Sequence, residues 1–371
     1  MPETPLNPLA AAPYHFWSAV YFVFGCFFGS LANVCIHRLP RGESIVTPRS
    51  HCPSCGYMIP GYLNIPLLTW LYLRGKCANC AAPISFRYFL VELLTGLMFM
   101  SCWLTFGHPD QPQTFLLAIA YCVLLFGFIV ATFIDFEHFI IPDEITLGGV
   151  VAGFLASCAV PAMHHTGARA EALKFSFFGI LMGAGLVYGI LRVGKLLFGR
   201  QKIELAPGSK LVFTETALHL PTSVVPYEEI FYRKSDTVVL HARQLELVDR
   251  CYKDVPVRLS PVALRIAEET FNPEDVHVVE VVTDQVVLPR EAMGLGDVKF
   301  MAGIGAFVGW QGVVFSLMVS AVIGSIIGVT LIALGKREWS SRLPYGPYIA
   351  IAATFWIFGG DDLWKNWWAV P

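Results

Sequence analysis

Apolar positions fall in long unbroken blocks along most of this chain, without the alternation of half-buried strands. Judged against the roughly 20 residues that cross a bilayer as a helix, the blocks at 14–36, 88–106, 114–134, 145–163, 175–198, 298–313, 314–334 and 345–358 predict eight membrane-spanning helices. The sixth and eighth are short and glycine-rich, and only Gly309-Trp310-Gln311-Gly312 parts the sixth from the seventh. Between 199 and 292 the pattern changes to polar sequence with short alternating or β-branched runs. The runs at 210–214, 237–240 and 276–282 predict strands, and 259–270 predicts one short helix, with Ser260-Pro261 as cap and first position.

The expected fold is an all-α polytopic membrane protein that also carries a cytoplasmic cysteine loop and a small, mostly β soluble insert. The expected division is a first helix (1–36), a tetracysteine domain (37–87), four helices (88–198), the insert (199–292) and a last group of helices (293–371).

Composition agrees. Of 371 residues, 55% are hydrophobic and 15% charged, where a soluble protein carries about 25% charged; the mean hydropathy is +0.57. A net charge of −2 argues against nucleic acid as a partner. The first fifteen residues lack Lys and Arg and hold several prolines, so the first apolar block is expected to be retained rather than cleaved as a signal.

Basic residues set the orientation, because they collect on the cytoplasmic side. Arg38, Arg41, Arg49, Arg74, Lys76 and Arg87 crowd the first loop against the single acid Glu43. Lys195, Arg200 and Lys202 follow the fifth block, and Lys336, Arg337 and Arg342 the seventh. Placing the first loop inside puts all three on one side and both termini outside. The same placement brings Asp135, Glu137 and Asp143, after the third block, to the face where Asp297 opens the sixth. Acids at a membrane boundary are costly and are functional candidates by default.

Cys52-Pro53-Ser54-Cys55 and Cys77-Ala78-Asn79-Cys80 repeat one turn and supply four thiolates to a tetrahedral zinc. The 21 residues between the pairs slightly exceed the usual ~15–20. Gly56 after the first pair, and Ala81 and Ala82 after the second, suit tight turns. Four protein ligands leave no open position, so the zinc is expected to be structural. The other six cysteines read as apolar filler.

Peptide hydrolysis by acids needs one ionised carboxyl to take a proton from water and one protonated carboxyl to polarise the carbonyl. Two carboxyls about 3 Å apart share one proton in this way. Asp135 and Asp297 are the leading pair, with Asp143 and Glu137 as rivals to Asp135. Asp143 also reads as the cap of the following helix. His138 reads as an interface residue or as a metal ligand with these acids. Glu92, inside the second helix, needs a partner, for which Arg87 and Lys299 are the candidates.

The motifs match a family. The chain resembles the type IV prepilin peptidases, bifunctional leader peptidase/N-methyltransferases of the bacterial inner membrane. The likeness runs through Gly29-Ser30-Leu31-Ala32-Asn33-Val34, His37-Arg38-Leu39-Pro40, Ser50-His51-Cys52-Pro53-Ser54-Cys55-Gly56, Asn64-Ile65-Pro66 and the second cysteine pair. It continues in Pro83-Ile84-Ser85, Arg87-Tyr88, Val91-Glu92-Leu93, Ile134-Asp135, Ile141-Pro142-Asp143, Gly294-Leu295-Gly296-Asp297-Val298-Lys299 and Tyr345-Gly346-Pro347-Tyr348. The resemblance implies an aspartic protease at the cytoplasmic membrane face with Asp135 and Asp297 catalytic. It implies removal of a basic leader from prepilins or pseudopilins, then methylation of the new N-terminus by S-adenosylmethionine. Such a substrate is itself an apolar helix preceded by a charged leader. No glycine-rich strand–turn–helix signature marks a methyl-donor site. Two departures stand out: Ala32 replaces a bulkier residue, and most members lack the 199–292 insert. Two other classes compete, a zinc-stabilised assembly scaffold and a proton or ion transporter using Asp135, Glu92 and Asp297 as a relay.

Overall fold

The computed structural model describes residues 12–221, 223–231, 236–247, 250–273, 276, 278–289, 294–335 and 343–368. Lys336, Arg337 and Arg342, which helped to set the expected orientation, lie outside the described residues. Every apolar block is helical: α1 (Tyr14–Arg38), α2 (Phe86–Phe106), α3 (Pro112–His138), α4 (Asp143–Ala159), α5 (Arg169–Phe198), α6 (Leu295–Ala333) and α7 (Gly346–Phe355), with a terminal α8 (Asp361–Trp368). Five of these, α1, α2, α3, α5 and α6, are long and apolar enough to cross a membrane, so the chain is a multi-pass membrane protein.

The count of eight is redistributed. The fourth block folds as the 17-residue α4 and a 3-10 turn, Pro161–His164. The eighth is the ten-residue α7 closed by a π-turn at Trp356–Gly360. The sixth and seventh, expected as two helices with a short loop, form α6 with no loop at all. The break is Gly309, at φ 71° and ψ −179°, a conformation open to glycine and costly for residues with a Cβ. A Cβ built on Gly305 would lie 3.0 Å from Val313 Cγ2, whereas eight residues of straight helix span about 12 Å. The chain therefore doubles back at Gly309. The start of α6 and the middle of its second arm consequently both come to the start of α7: Ile141 lies beside the Cβ positions of Gly296 and Gly346, while Ser320 Oγ lies 3.1 Å from Tyr345 Oη.

Helices in lipid gain little from burying apolar surface, so close backbone contact between small residues carries much of their association. A Cβ on Gly179 of α5 would fall 2.0 Å from Gly305 O, and one on Gly183 2.3 Å from Met301 O. α1 and α2 meet in the same way, with Gly29 against Glu92 Cα and Gly25 against Gly96 Cα.

Residues Gly189–Met293 form a separate unit. Its eight-stranded antiparallel sheet has the order β3-β2-β1-β8-β4-β5-β6-β7. The strands are β1 (Arg200–Phe213), β2 (Ala217–His219), β3 (Val224–Pro226), β4 (Val238–Glu246), β5 (Cys251–Leu259), β6 (Leu264–Ile266), β7 (Glu269–Phe271) and β8 (Val279–Pro289). Alternate residues such as Val238, Leu240 and Ala242 of β4, or Val279 and Val281 of β8, build one core. The helix expected over 259–270 is absent. Leu264 and Ile266 are buried around an exposed Arg265, which is strand periodicity, and Ala267 turns the chain at φ 52°. Ser260 Oγ accepts from Ala263 N at 3.1 Å, so it closes a turn instead of capping a helix.

The glycine contacts give a direct test. Gly179→Ala and Gly183→Ala are each expected to destabilise the protein by about 1–3 kcal/mol or more through overpacking. Gly185→Ala, on the same helix with nothing within 4 Å of its Cβ, is expected to leave it unchanged. Thermal unfolding of the three variants in detergent separates these outcomes.

Candidate active site

Asp135 lies in the last turn of α3 and Asp297 in the first turn of α6. Both are buried, at 6% and 9% exposure. Gly346, whose N–H reaches Asp135, and Gly296, the neighbour of Asp297, both pack on Ile141. Each has one backbone donor. Gly346 N, at the start of α7, donates to Asp135 Oδ2 at 2.8 Å, and Gly294 N donates to Asp297 Oδ2 at 3.2 Å. The second bond is half of a capping box, in which an acid three residues into a helix satisfies a free N–H at its start.

Gly346 is needed for the first bond, since its Cβ would stand 2.9 Å from Asp135 Oδ2 and 3.0 Å from Ile141 Cδ1. Ile141 also lies 3.4 Å from the Cβ position of Gly296. This one buried side chain thus packs on the glycine that donates to Asp135 and on the glycine beside Asp297. Neither Gly346 nor Ile141 stands out as a site residue from the sequence alone. The Gly346-Pro347 pair, a helix start with a freely approachable N–H, was the available signal.

The rival acids are engaged elsewhere. Glu137 pairs with Arg87, and Asp143 with Lys299 at 2.6 Å. Asp143 is not the cap of α4: the cap position is Pro142, and Asp143 sits in the first turn, where its charge suits the helix dipole. Glu92 takes neither of its expected partners. Its Oε2 accepts from Leu67 N at 2.7 Å. The reason is placement: Arg87 and Lys299 are held by acids of their own, and a backbone N–H between the cysteine pairs lies nearer. His138 is exposed, and among the described residues the only metal-competent cluster is the four cysteines.

Those four are Cys52, Cys55, Cys77 and Cys80, whose Sγ atoms lie within 4.8 Å of one another, with Cys52 and Cys80 3.8 Å apart. Four Zn–S bonds of 2.3 Å in a tetrahedron require sulfurs about 3.8 Å apart, so the set fits structural zinc. The two turns are closed alike: Gly56 N donates to Cys52 O and Ala81 N to Cys77 O. Gly56 and Ala81 both take positive φ, 69° and 56°. The backbone N–H groups of Cys55 and Ser54 hold the Cys52 thiol below its ordinary range, and Tyr57 N–H with the Asn79 side chain does so for Cys55. Cys80 also faces a backbone donor, Ala82 N–H, yet the thiols of Cys55, Cys77 and Cys52 push it up to about 12.

Comparison with known proteins relates the chain to two family descriptions. Residues 23–106 match the bacterial peptidase A24 N-terminal domain. Residues 122–213 and 276–329 match the type IV leader peptidase family, the gap falling inside the β unit. A prepilin leader peptidase/N-methyltransferase of Myxococcus xanthus is 47% identical over 132 residues, 36% of this chain and 38% of the relative. Proteins with the same description from Aeromonas hydrophila and Pseudomonas aeruginosa are 26% and 25% identical, over 95% and 98% of this chain and 93% and 97% of their own. No solved structure matches.

Replacing Cys52 or Cys80 by serine is expected to take bound metal from about one zinc per chain to near zero. Metal analysis of the purified protein reads this, and Cys251→Ser, far along the chain, is the unaffected control.

Proposed function

Because the chain belongs to the type IV leader peptidase family, we propose that it cleaves the leader from type IV prepilins or pseudopilins with Asp135 and Asp297 as the catalytic pair, then N-methylates the new N-terminus. The observation that carries this reading is two buried aspartates at helix ends on either side of Ile141, each with a single backbone donor and no cation bonded to it among the described residues. A carboxyl in such surroundings is stable neutral or sharing a proton, and two together hold one proton between them.

The chemistry follows from that sharing. The ionised carboxyl takes a proton from a water as its oxygen attacks the scissile carbonyl carbon. The protonated carboxyl gives its proton to the carbonyl oxygen, and the carbonyl π pair moves onto that oxygen. Collapse of the tetrahedral intermediate breaks the C–N bond. The acid that took the water proton delivers it to the leaving amine, the other carboxylate takes a proton back from a hydroxyl of the intermediate as the C=O bond re-forms, and the pair returns to one proton. Gly346 N–H and Gly294 N–H fix one oxygen of each acid and leave the other for water and substrate.

S-adenosylmethionine is the expected methyl donor. A polar hollow of about 210 Å3 beside Arg38, Arg49, Ser50 and Asn64 is smaller than the ~300–1,000 Å3 of small-molecule sites. It does not fit the whole cofactor. The cysteine cluster serves as a structural zinc site, without an open position for chemistry. The division into 1–36, 37–87, 88–198, 199–292 and 293–371 belongs to this reading. So does an eight-crossing topology in the bacterial inner membrane, in which α4, α7 and the two arms of α6 each traverse and the aspartates face the cytoplasm. At 1.5 Å per residue α4 is about 26 Å long, close to the ~30 Å hydrocarbon core.

Asp135→Asn and Asp297→Asn are each expected to lower leader removal on the order of 10³-fold or more, with membrane insertion and bound zinc unchanged. Purified protein is incubated with a prepilin, with and without S-adenosylmethionine, and the product N-terminus is read by mass spectrometry. Leader removal that survives either substitution sinks the assignment.

A further inference from the structure

Arg38 closes α1, and it is only 7% exposed, with no acid in ion-pair contact among the described residues. Its guanidinium donates to two backbone carbonyls, Ser44 O at 2.8 Å and Pro48 O at 2.7 Å. These bonds occupy two of its five N–H donors. A buried charge is costly unless it is paired, and an arginine does not lose its proton to escape that cost. The surroundings supply no anion. Glu43 is the single acid between 37 and 87, and it is exposed and without an ion pair among the described residues. Glu92 accepts from Leu67 N, and Glu137 pairs with Arg87.

The second, independent observation is the space beside it. Arg38 lines the polar hollow of about 210 Å3, together with Arg49 and Ser50. Arg49 is exposed and likewise pairs with no acid among the described residues. Two positive charges thus border one opening without a negative one. Apolar side chains complete the lining: Val34, one turn back along α1, and Ile45 and Val46, which are 42% and 77% exposed. A small free anion gains nothing from that border, whereas an amphiphile does. Position argues the same way. α1 is long and apolar enough to cross the membrane, so the arginine that ends it stands at the level of the lipid headgroups. Val34, four residues earlier, lies about 6 Å further into the bilayer.

We propose that this hollow binds the headgroup of an anionic phospholipid, its phosphate held by the Arg38 and Arg49 guanidiniums and its acyl chains leaving past Val34 into the bilayer. A guanidinium can meet a phosphate with two parallel hydrogen bonds, and basic pockets beside membrane helices take anionic headgroups in this way. The volume suits such a ligand. It is below the roughly 300–1,000 Å3 of sites that enclose a whole small molecule, and here only the headgroup has to enter. Arg38 also holds Ser44 and Pro48 by their carbonyls. A lipid seated on it therefore fixes the segment leading to Cys52 against the membrane surface.

The test titrates the full-length protein in detergent with phosphatidylglycerol or phosphatidylcholine of the same acyl chains and reads binding by native mass spectrometry. Phosphatidylglycerol is expected to bind about tenfold more tightly or better. Arg49→Gln alters an exposed side chain that has no hydrogen bond among the described residues. It is expected to weaken phosphatidylglycerol about fivefold or more and to leave phosphatidylcholine unchanged. Arg38→Gln is expected to abolish the preference, with bound zinc unchanged as the check on folding. Arg74→Gln removes an exposed charge of the same loop that does not line the hollow, and is expected to change neither affinity. Equal affinity of the wild type for the two lipids overturns the proposal. So does a loss with Arg74→Gln as large as with Arg49→Gln, since the general charge of the loop would then suffice. Two further arms separate other anions. Displacement of the lipid by an equal concentration of water-soluble glycerol phosphate would make the hollow a site for free phosphate. Weaker S-adenosylmethionine binding by Arg49→Gln in equilibrium dialysis, with lipid binding unchanged, would assign it to the methyl donor's carboxylate. Either result overturns the lipid assignment.

Discussion

The hydrogen bond from Gly346 N–H to Asp135 Oδ2 joins residues 211 positions apart, and much of the membrane unit is arranged to permit it. A carboxyl withdrawn from water must find donors or stay protonated. Here the donor is a free N–H at the start of a helix, reachable because Gly346 has no side chain to hold Asp135 off. Ile141 wedges against that glycine and against Gly296, so the end of α3, the start of α6 and the start of α7 are gathered around one buried side chain. The doubling back of α6 at Gly309 makes the gathering possible, since it returns the second arm to the segment before α7.

The two units obey different solvents. In the membrane unit, glycines meet backbone directly at Gly179, Gly183, Gly25 and Gly29, because in lipid contact distance matters more than apolar area. In the β unit the ordinary hydrophobic effect operates, and alternating Val, Leu and Ile positions close one core. A Gly→Ala change that disables the first principle would be minor in the second.

Glu92 shows how an acid inside a membrane helix can serve structure. Its oxygen holds the N–H of Leu67, a residue at φ 61°, a backbone state that costs about 1–3 kcal/mol. A charge-assisted hydrogen bond is worth about as much. The bond fastens the segment between the two cysteine turns to α2, so the acid serves as an anchor.

The sequence by itself determined the apolar blocks, the change of pattern that marks the β unit, and the four cysteines, because each is a matter of local composition and short spacing. It also singled out Asp135 and Asp297, since an acid at the end of an apolar block is conspicuous wherever the chain later goes. Partners were beyond its reach. Whether Asp143 binds Lys299 or caps a helix, whether Glu92 finds a cation or a backbone N–H, and whether Gly309 marks a loop or a reversal depend on what lies opposite in space. The stretch 259–270 misled for the same reason: Ser260-Pro261 is a valid helix start, but the neighbouring strand offered β6 a ladder of hydrogen bonds and a core for Leu264 and Ile266. Tertiary structure decided those points, because hydrogen bonds and close contacts are made between residues whose separation along the chain carries no information about their distance.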